Sequence, residues 1–259
     1  MARPKVCVLR TAGTNCDQET AFAFNQAGAQ AELVHINMLA GGKRKLKNYQ
    51  VLAIPGGFTY GDDVSAGKIL ANELRYKLQS EVCTFLREGK LIIGICNGFQ
   101  VLVKSGLLPG NGSLSQEASL VINDSGKFED RWVYLKLSGR CAWTNGLPER
   151  IYLPVAHGEG KFITRDDAVL GRLEKKGQVV FRYCDKEGNP TGYPDNPNGS
   201  EDNISGICDE SGRVFGLMPH PERYITFSQG PRKNAGRRSG LGDGFLVFKS
   251  GVDYVRRYL

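Results

Sequence analysis

The chain begins with short apolar runs that alternate with longer amphipathic stretches. Residues 6–9 are a brief apolar run, and residues 17–27 space their apolar positions for a helix that Gly28 stops. Residues 31–36 alternate as a second strand. Residues 50–54 form a third, closed by Pro55-Gly56-Gly57, and residues 72–88 read as a helix ending at Gly89. Residues 90–95, containing LIIGI, are almost continuously apolar, the signature of a strand buried on both faces of a parallel sheet. A helical pattern resumes at 99–104. Strand and helix alternating at this spacing predict a doubly wound α/β sheet, mostly parallel.

The second half has a different texture. WVYLKL, RIYLPVA, QVVFRYCD and RVFGLM are strand-like and separated by turn signals, which predicts added antiparallel strands on or beside the same sheet. Residues 188–203 form a Pro/Gly/Asn-rich loop, either functional or poorly ordered at that length. FLVFKSGVDYVRRYL closes the chain as a helix with one apolar face. There is no internal repeat and no clear linker, so a single domain over residues 1–259 is expected.

Composition narrows the class. A chain of 259 residues with 41% hydrophobic and 24% charged positions is of the globular type and can bury a large core. No run approaches the roughly 20 apolar residues of a membrane span, and the start of the chain lacks a signal-peptide apolar region, so no membrane partner and a cytoplasmic location are expected. The seven cysteines are scattered without a CxxC pair and there are only three histidines, which argues against a zinc site or a disulfide framework; no metal is expected. The net charge of +7 is concentrated at Lys43, Arg44, Lys45 and Lys47 and at Arg232, Lys233, Arg237 and Arg238. Both clusters lie beside glycines without interleaved aromatics, so they read as solvated loops, and no nucleic-acid partner is expected.

One cysteine stands apart. In Gly94-Ile95-Cys96-Asn97-Gly98 an apolar strand runs into a small residue, a cysteine, a glycine and then a helical pattern. This is the spacing of a nucleophile elbow, in which a sharp strand-to-helix turn needs small neighbours two residues away. Such a turn lifts the sulfur above the carboxyl edge of the sheet, where open α/β folds bind ligands. The helix N-terminus beside it favours a thiolate, and the Asn97 N–H is aimed at a developing oxyanion. A thiol nucleophile needs a base with an orienting partner, and Met218-Pro219-His220-Pro221-Glu222 offers both just past a strand. Extended backbone between His220 and Glu222 would put both side chains on one side, with prolines stiffening the segment. Gly57, in Pro55-Gly56-Gly57-Phe58, is the candidate for the second oxyanion donor, because a glycine loop brings a backbone N–H close to substrate. Cys16 also lies between a strand and a helix, but Asn15 and Asp17 suit an elbow thiolate poorly, so it is assigned to structure or to an interface.

GICNGFQVL, MPHPE and PGGFTYGDD together resemble the triad-type (class I) glutamine amidotransferases. GTNCDQET, AHGEGKF and FRYCD…NPNGS…ISGICDESGRVFGLMPHPER narrow the resemblance to the glutaminase subunits of phosphoribosylformylglycinamidine synthases, nearly end to end. The resemblance implies a flavodoxin-like sheet, Cys96, His220 and Glu222 as the catalytic residues, and a γ-glutamyl thioester on Cys96. It also implies L-glutamine as substrate and a large synthetase subunit plus a small third subunit as partners. No cofactor would serve the glutaminase step, while ATP and magnesium would serve the synthetase. Gly56, Gln100 and His157 join Gly57 and Asn97 as candidate oxyanion or substrate-binding residues. The resemblance puts His157-Gly158-Glu159-Gly160 near the glutamine site or the subunit interface; a loop with a structural histidine is the alternative. The stretch 228–243 is longer and more basic than the family pattern suggests. A cysteine hydrolase or deglycase of the related elbow-cysteine proteins is the competing activity, but those carry histidine directly after the cysteine, where this chain has Asn97. A non-catalytic scaffold is disfavoured by the intact Cys, His and Glu set.

Overall fold

The computed structural model describes residues 2–110, 112, 114–231 and 240–259. The first half runs β1 (Lys5–Arg10), α1 (Asp17–Gln26), β2 (Gln30–His35), α2 (Ile36–Ala40), β3 (Val51–Ile54), α3 (Lys68–Lys77), α4 (Gln79–Arg87), β4 (Leu91–Ile95) and α5 (Asn97–Lys104). The second half adds β5 (Ala118–Val121), β6 (Glu129–Leu137), β7 (Arg150–His157), β8 (Lys161–Thr164), α6 (Asp167–Lys175), β9 (Val179–Cys184), β10 (Ile204–Cys208), β11 (Val214–Leu217) and α7 (Asp243–Tyr258).

Nine strands form one sheet in the order β2-β1-β3-β4-β11-β10-β9-β6-β7, and β5 pairs with β8 in a separate antiparallel sheet. Strands β2, β1, β3, β4 and β11 are mutually parallel, the flavodoxin-like half that the alternation predicts. The strand order reverses direction at β1, so right-handed crossovers place α1 on one face and the helices between β3 and β11 on the other. From β10 to β7 every pairing is antiparallel.

The structure corrects the sequence reading of two elements. RVFGLM is not part of the antiparallel extension: β11 runs parallel beside β4, with Leu217 opposite Ile95, which is what carries its downstream loop to the elbow. The predicted helix over 72–88 is two helices broken at Leu78, whose backbone (φ −126°, ψ 7°) leaves the helical well while its side chain stays buried. Neither Gly nor Pro marks that break. The loop over 188–203 is pinned from within, because Asn196 Oδ1 accepts the Gly199 and Ser200 N–H groups at 3.0 and 3.3 Å. His35 is an exposed cap of α2, its Nδ1 accepting the Asn37 N–H. Lys43, Arg44, Lys45 and Lys47 are exposed, as expected, and Arg44 pairs with Glu32 at 2.8 Å. The second basic cluster, Arg232 to Arg238, lies outside the described residues. Among the described residues, no helix is long and apolar enough to cross a membrane.

Candidate active site

Cys96 stands between β4 and α5 with φ 51° and ψ −106°, a conformation that a side-chain-bearing residue holds only under constraint. Its N–H donates to Leu217 O (2.8 Å), and its carbonyl accepts the N–H groups of Phe99 and Gln100, so the turn is fixed from both sides. The flanking glycines are obligatory. A Cβ on Gly94 would lie 2.5 Å from Gly98 O, and one on Gly98 would lie 1.8 Å from Ile54 O. The elbow spacing therefore reflects close packing of the first turn of α5 on β3 and β4. The residue is 5% exposed, and its sulfur lies 3.7 Å from Ala156 O at the end of β7.

His220 follows β11, the neighbour of β4. Its N–H is tied to Pro154 O (2.8 Å), and its Nδ1 lies 2.6 Å from Glu222 Oε1. The pair is brought together differently from the extended arrangement expected. Pro221 opens a 3₁₀ turn over Pro221–Arg223, and that turn folds Glu222 back under the ring. Both residues are buried, and His220 Nε2 and Glu222 Oε2 have no hydrogen-bond partner among the described residues. Burial pushes the ring toward neutrality. The charges of Glu222 and then Cys96 outweigh it and hold the imidazolium well above the usual histidine range. The sulfur and the ring thus belong to one electrostatic unit, supplied by two adjacent parallel strands.

Gly57 lies alongside. It bridges to Thr14; nearby, Phe58 N–H donates to Gly13 O and Cys16 N–H to Gly56 O, and the Gly57 N–H has no partner among the described residues. Its φ of 142° and a Cβ position 2.8 Å from Gly13 O admit only glycine. Gly56 must also lack a side chain, because a Cβ there would lie 2.8 Å from His220 Cε1. The Asn97 side chain accepts from Thr59 Oγ1 (2.7 Å) and donates to Asp62 Oδ1 (3.0 Å) and Gln100 Oε1 (2.9 Å), so only its backbone remains for an oxyanion.

The direct substrate contacts expected of Gln100 and His157 meet a different arrangement. Gln100 spends its amide on Asn97 and on Glu159 O. His157 Nδ1 donates to Asn123 Oδ1 (3.2 Å) and its Nε2 accepts from Asn198 Nδ2 (3.4 Å). Asn123 Oδ1 also takes the Gly160 N–H at 2.9 Å, while its amide donates to Lys127 O and His157 O, which fixes its orientation. Burial, with the His220 charge as a smaller cause, lowers the His157 pKa to about 3. It is a neutral ring with both nitrogens engaged, next to the site rather than open to it.

Sequence reasoning assigned Cys16 to structure or to an interface and did not place it beside His220 and Glu222. Its sulfur lies 3.3 Å from where a Gly56 Cβ would sit, receives Arg223 Nη2 at 3.2 Å, and clusters with His220 and Glu222. The MPHPER segment and the GTNCD loop meet across some two hundred positions, and no local pattern reports such a contact.

An elbow cysteine at the carboxyl edge of a doubly wound sheet, beside an imidazole that follows the next strand, is the arrangement of the glutamine amidotransferase class. Residues 3–255 match the family described as the CobB/CobQ-like glutamine amidotransferase domain. A "Phosphoribosylformylglycinamidine synthase subunit PurQ" from Dehalococcoides mccartyi is 48% identical over 260 residues, covering 99% of this chain and 100% of that protein. A protein of the same name from Archaeoglobus fulgidus is 44% identical over 269 residues, covering 98% of this chain and 97% of its own length. The chain belongs to this family of PurQ subunits. A solved structure of PurLQS from Thermotoga maritima superposes with a TM-score of 0.75 at 34% identity, covering 97% of this chain and 99% of that one.

Proposed function

We propose that the chain is the glutaminase subunit of a phosphoribosylformylglycinamidine synthase. It hydrolyses L-glutamine to glutamate and ammonia, and the ammonia serves a large ATP-dependent synthetase subunit that converts formylglycinamide ribonucleotide to formylglycinamidine ribonucleotide, with a small third subunit completing a cytoplasmic complex. The observation that carries this reading is the strained Cys96 elbow after β4 beside the buried His220–Glu222 pair after the adjacent strand β11, with the Cys96 charge acting on the His220 ring. The match to one chain of a PurLQS structure supports a multisubunit setting.

The Cys96 thiolate adds to the side-chain carbonyl carbon of glutamine. The oxyanion is stabilised by the N–H groups of Gly57 and Asn97, an effect of roughly 3–4 kcal/mol per donor in comparable sites. The His220 imidazolium gives its proton to the departing amine, the C–N bond breaks, and ammonia leaves a γ-glutamyl thioester. The now neutral His220 takes a proton from water, and the hydroxide displaces Cys96 as thiolate, restoring the ion pair. Glu222, bonded to Nδ1, holds the ring in place. This half-reaction needs no cofactor; ATP and magnesium act in the synthetase.

A diazoketone analogue of glutamine should form a covalent adduct at Cys96. Cys96→Ala should abolish glutamine-dependent synthesis by the complex and leave ammonia-dependent synthesis intact. Labelling elsewhere, or loss of both activities in the variant, would overturn the assignment.

A further inference from the structure

The mechanism above makes no use of Cys16, yet its sulfur is built into the site. Cys16 N–H donates to Gly56 O (3.3 Å), and the bare Cα of Gly56 lets the sulfur and the His220 ring close over the same point. The Cys16 sulfur, a ring nitrogen of His220 and a carboxylate oxygen of Glu222 all lie within 4.8 Å of one another, in residues only 1%, 2% and 2% exposed. Sulfur, imidazole and carboxylate form the mixed donor set that tetrahedral zinc prefers, with one position left for water or a fourth ligand. His220 Nδ1 is already bonded to Glu222 Oε1 at 2.6 Å, while His220 Nε2 and Glu222 Oε2 have no hydrogen-bond partner among the described residues, so each of the two side chains keeps one buried polar atom free for a ligand.

We propose that Cys16, His220 and Glu222 form a binding site for a thiophilic divalent cation such as Zn2+, and that its occupancy switches the glutaminase off. The site stands on its own geometry, whereas the inhibitory consequence rests on the glutaminase reading. Binding displaces the thiol proton of Cys16 and a ring proton of His220. A ring held by a cation cannot cycle between imidazolium and imidazole, as both half-reactions require. Arg223 opposes the cation. Its guanidinium donates to Cys16 Sγ at 3.2 Å and also reaches Glu19 at 3.3 Å. The Arg223 and Glu19 side chains are 35% and 46% exposed, so this contact belongs to the rim and can open outward.

Co2+ is the direct probe, because a coordinated thiolate gives it a charge-transfer absorption in the near ultraviolet. The full chain carrying Cys96→Ser should keep that band on Co2+ titration, and the Cys16→Ser, Cys96→Ser double variant should lose it. In glutaminase assays with the partner subunits present, Cys16→Ser should raise the Zn2+ concentration for half-inhibition at least tenfold. Arg223→Gln, which removes the competing cation, should lower it. A band that disappears with Cys96→Ser alone, or inhibition unchanged by Cys16→Ser, would mean that the reactive sulfur binds the metal by itself and would overturn the proposal. Absence of any band or inhibition would do the same. The cobalt titration does not need activity, so it reads the site even if the glutaminase reading fails.

Discussion

Two histidines of this chain carry a glutamate two residues downstream, and their surroundings drive them in opposite directions. Burial and neighbouring positive charge keep His157 neutral, with a pKa of about 3 against an ordinary value of 6.5. In the unfolded chain it takes up a proton as pH drops below 6.5, whereas in the native state it does not. Native stability therefore falls with pH across the window from about 6.5 to 3, by about 2 kcal/mol between pH 6.5 and 5. His157→Gln should flatten that part of the pH dependence of the urea midpoint, even if it lowers stability at pH 7; an unchanged slope would show that another group is responsible. His220 has the opposite sign, since Glu222 and Cys96 stabilise its charged form against the cost of burial. Its contribution is fully present below the unfolded value and is lost as pH rises through the elevated native one. Glu222→Gln removes the strongest support for the charge, so the high-pH limb of kcat/KM should move to lower pH and kcat should drop about 100-fold or more. A variant with the wild-type profile would mean that Glu222 does not orient the ring. The two HxE spacings look alike in sequence, and only the MPHPE motif separated them. The physical difference lies in partners such as Asn123 and Asn198, too far along the chain to be read locally.

At the level of elements, the elbow was legible because its constraint is local. A strand, a tight turn and a helix leave no space for side chains at 94 and 98, and glycine at both positions records this directly. Gly98→Ala would place a Cβ at 1.8 Å from Ile54 O, so α5 must lift off β3 and carry Cys96 with it. Loss of 3 kcal/mol or more, or failure to fold, is expected (a rough figure for overpacking against backbone). Gly171, inside α6, is the matched control: a Cβ there meets nothing within 4 Å. Gly171→Ala should stabilise the protein by about 0.5–1 kcal/mol through helix propensity, read as a higher thermal midpoint. Comparable losses in the two variants would sink the packing argument. What stayed illegible at this scale has no local marker. The break at Leu78 falls at a buried leucine with no Gly or Pro to mark it, and the parallel pairing of β11 with β4 depends on a partner some 120 residues upstream.

Across the whole molecule, the loops leaving the carboxyl edge are joined by a buried polar network that periodicity could not reveal. Lys104, at the end of α5 and 4% exposed, donates to Ser65 Oγ and Ala66 O and lies 3.8 Å from Glu159. Asp62 accepts from Asn97 and from the Gly67 N–H, and Glu159 accepts from the Ala66 N–H. The network thus ties the segment after β3 and the segment after β7 to the helix that begins at the elbow. The first of these needs tying, because Tyr60, Asp62 and Val64 all hold positive φ (57°, 54° and 71°), which costs each of them on the order of 1 kcal/mol. Lys104→Met preserves most of the side-chain volume but removes the donors and the cation beside Asp62 and Glu159. Breaking a buried charge arrangement from one side costs about 3–5 kcal/mol. Glu159 remains partly exposed and can recover some solvation, so the lower end of that range is expected from denaturant unfolding. The released segment should relax toward ordinary backbone conformations, so amide exchange over 59–67 should quicken more than exchange in β3 or β4. Because this segment begins beside Gly57 and holds the Asn97 side chain, kcat should fall more than KM rises. Lys104→Met with wild-type stability and wild-type exchange over 59–67 would show that the strained segment is held by its own contacts and that the network merely accompanies it.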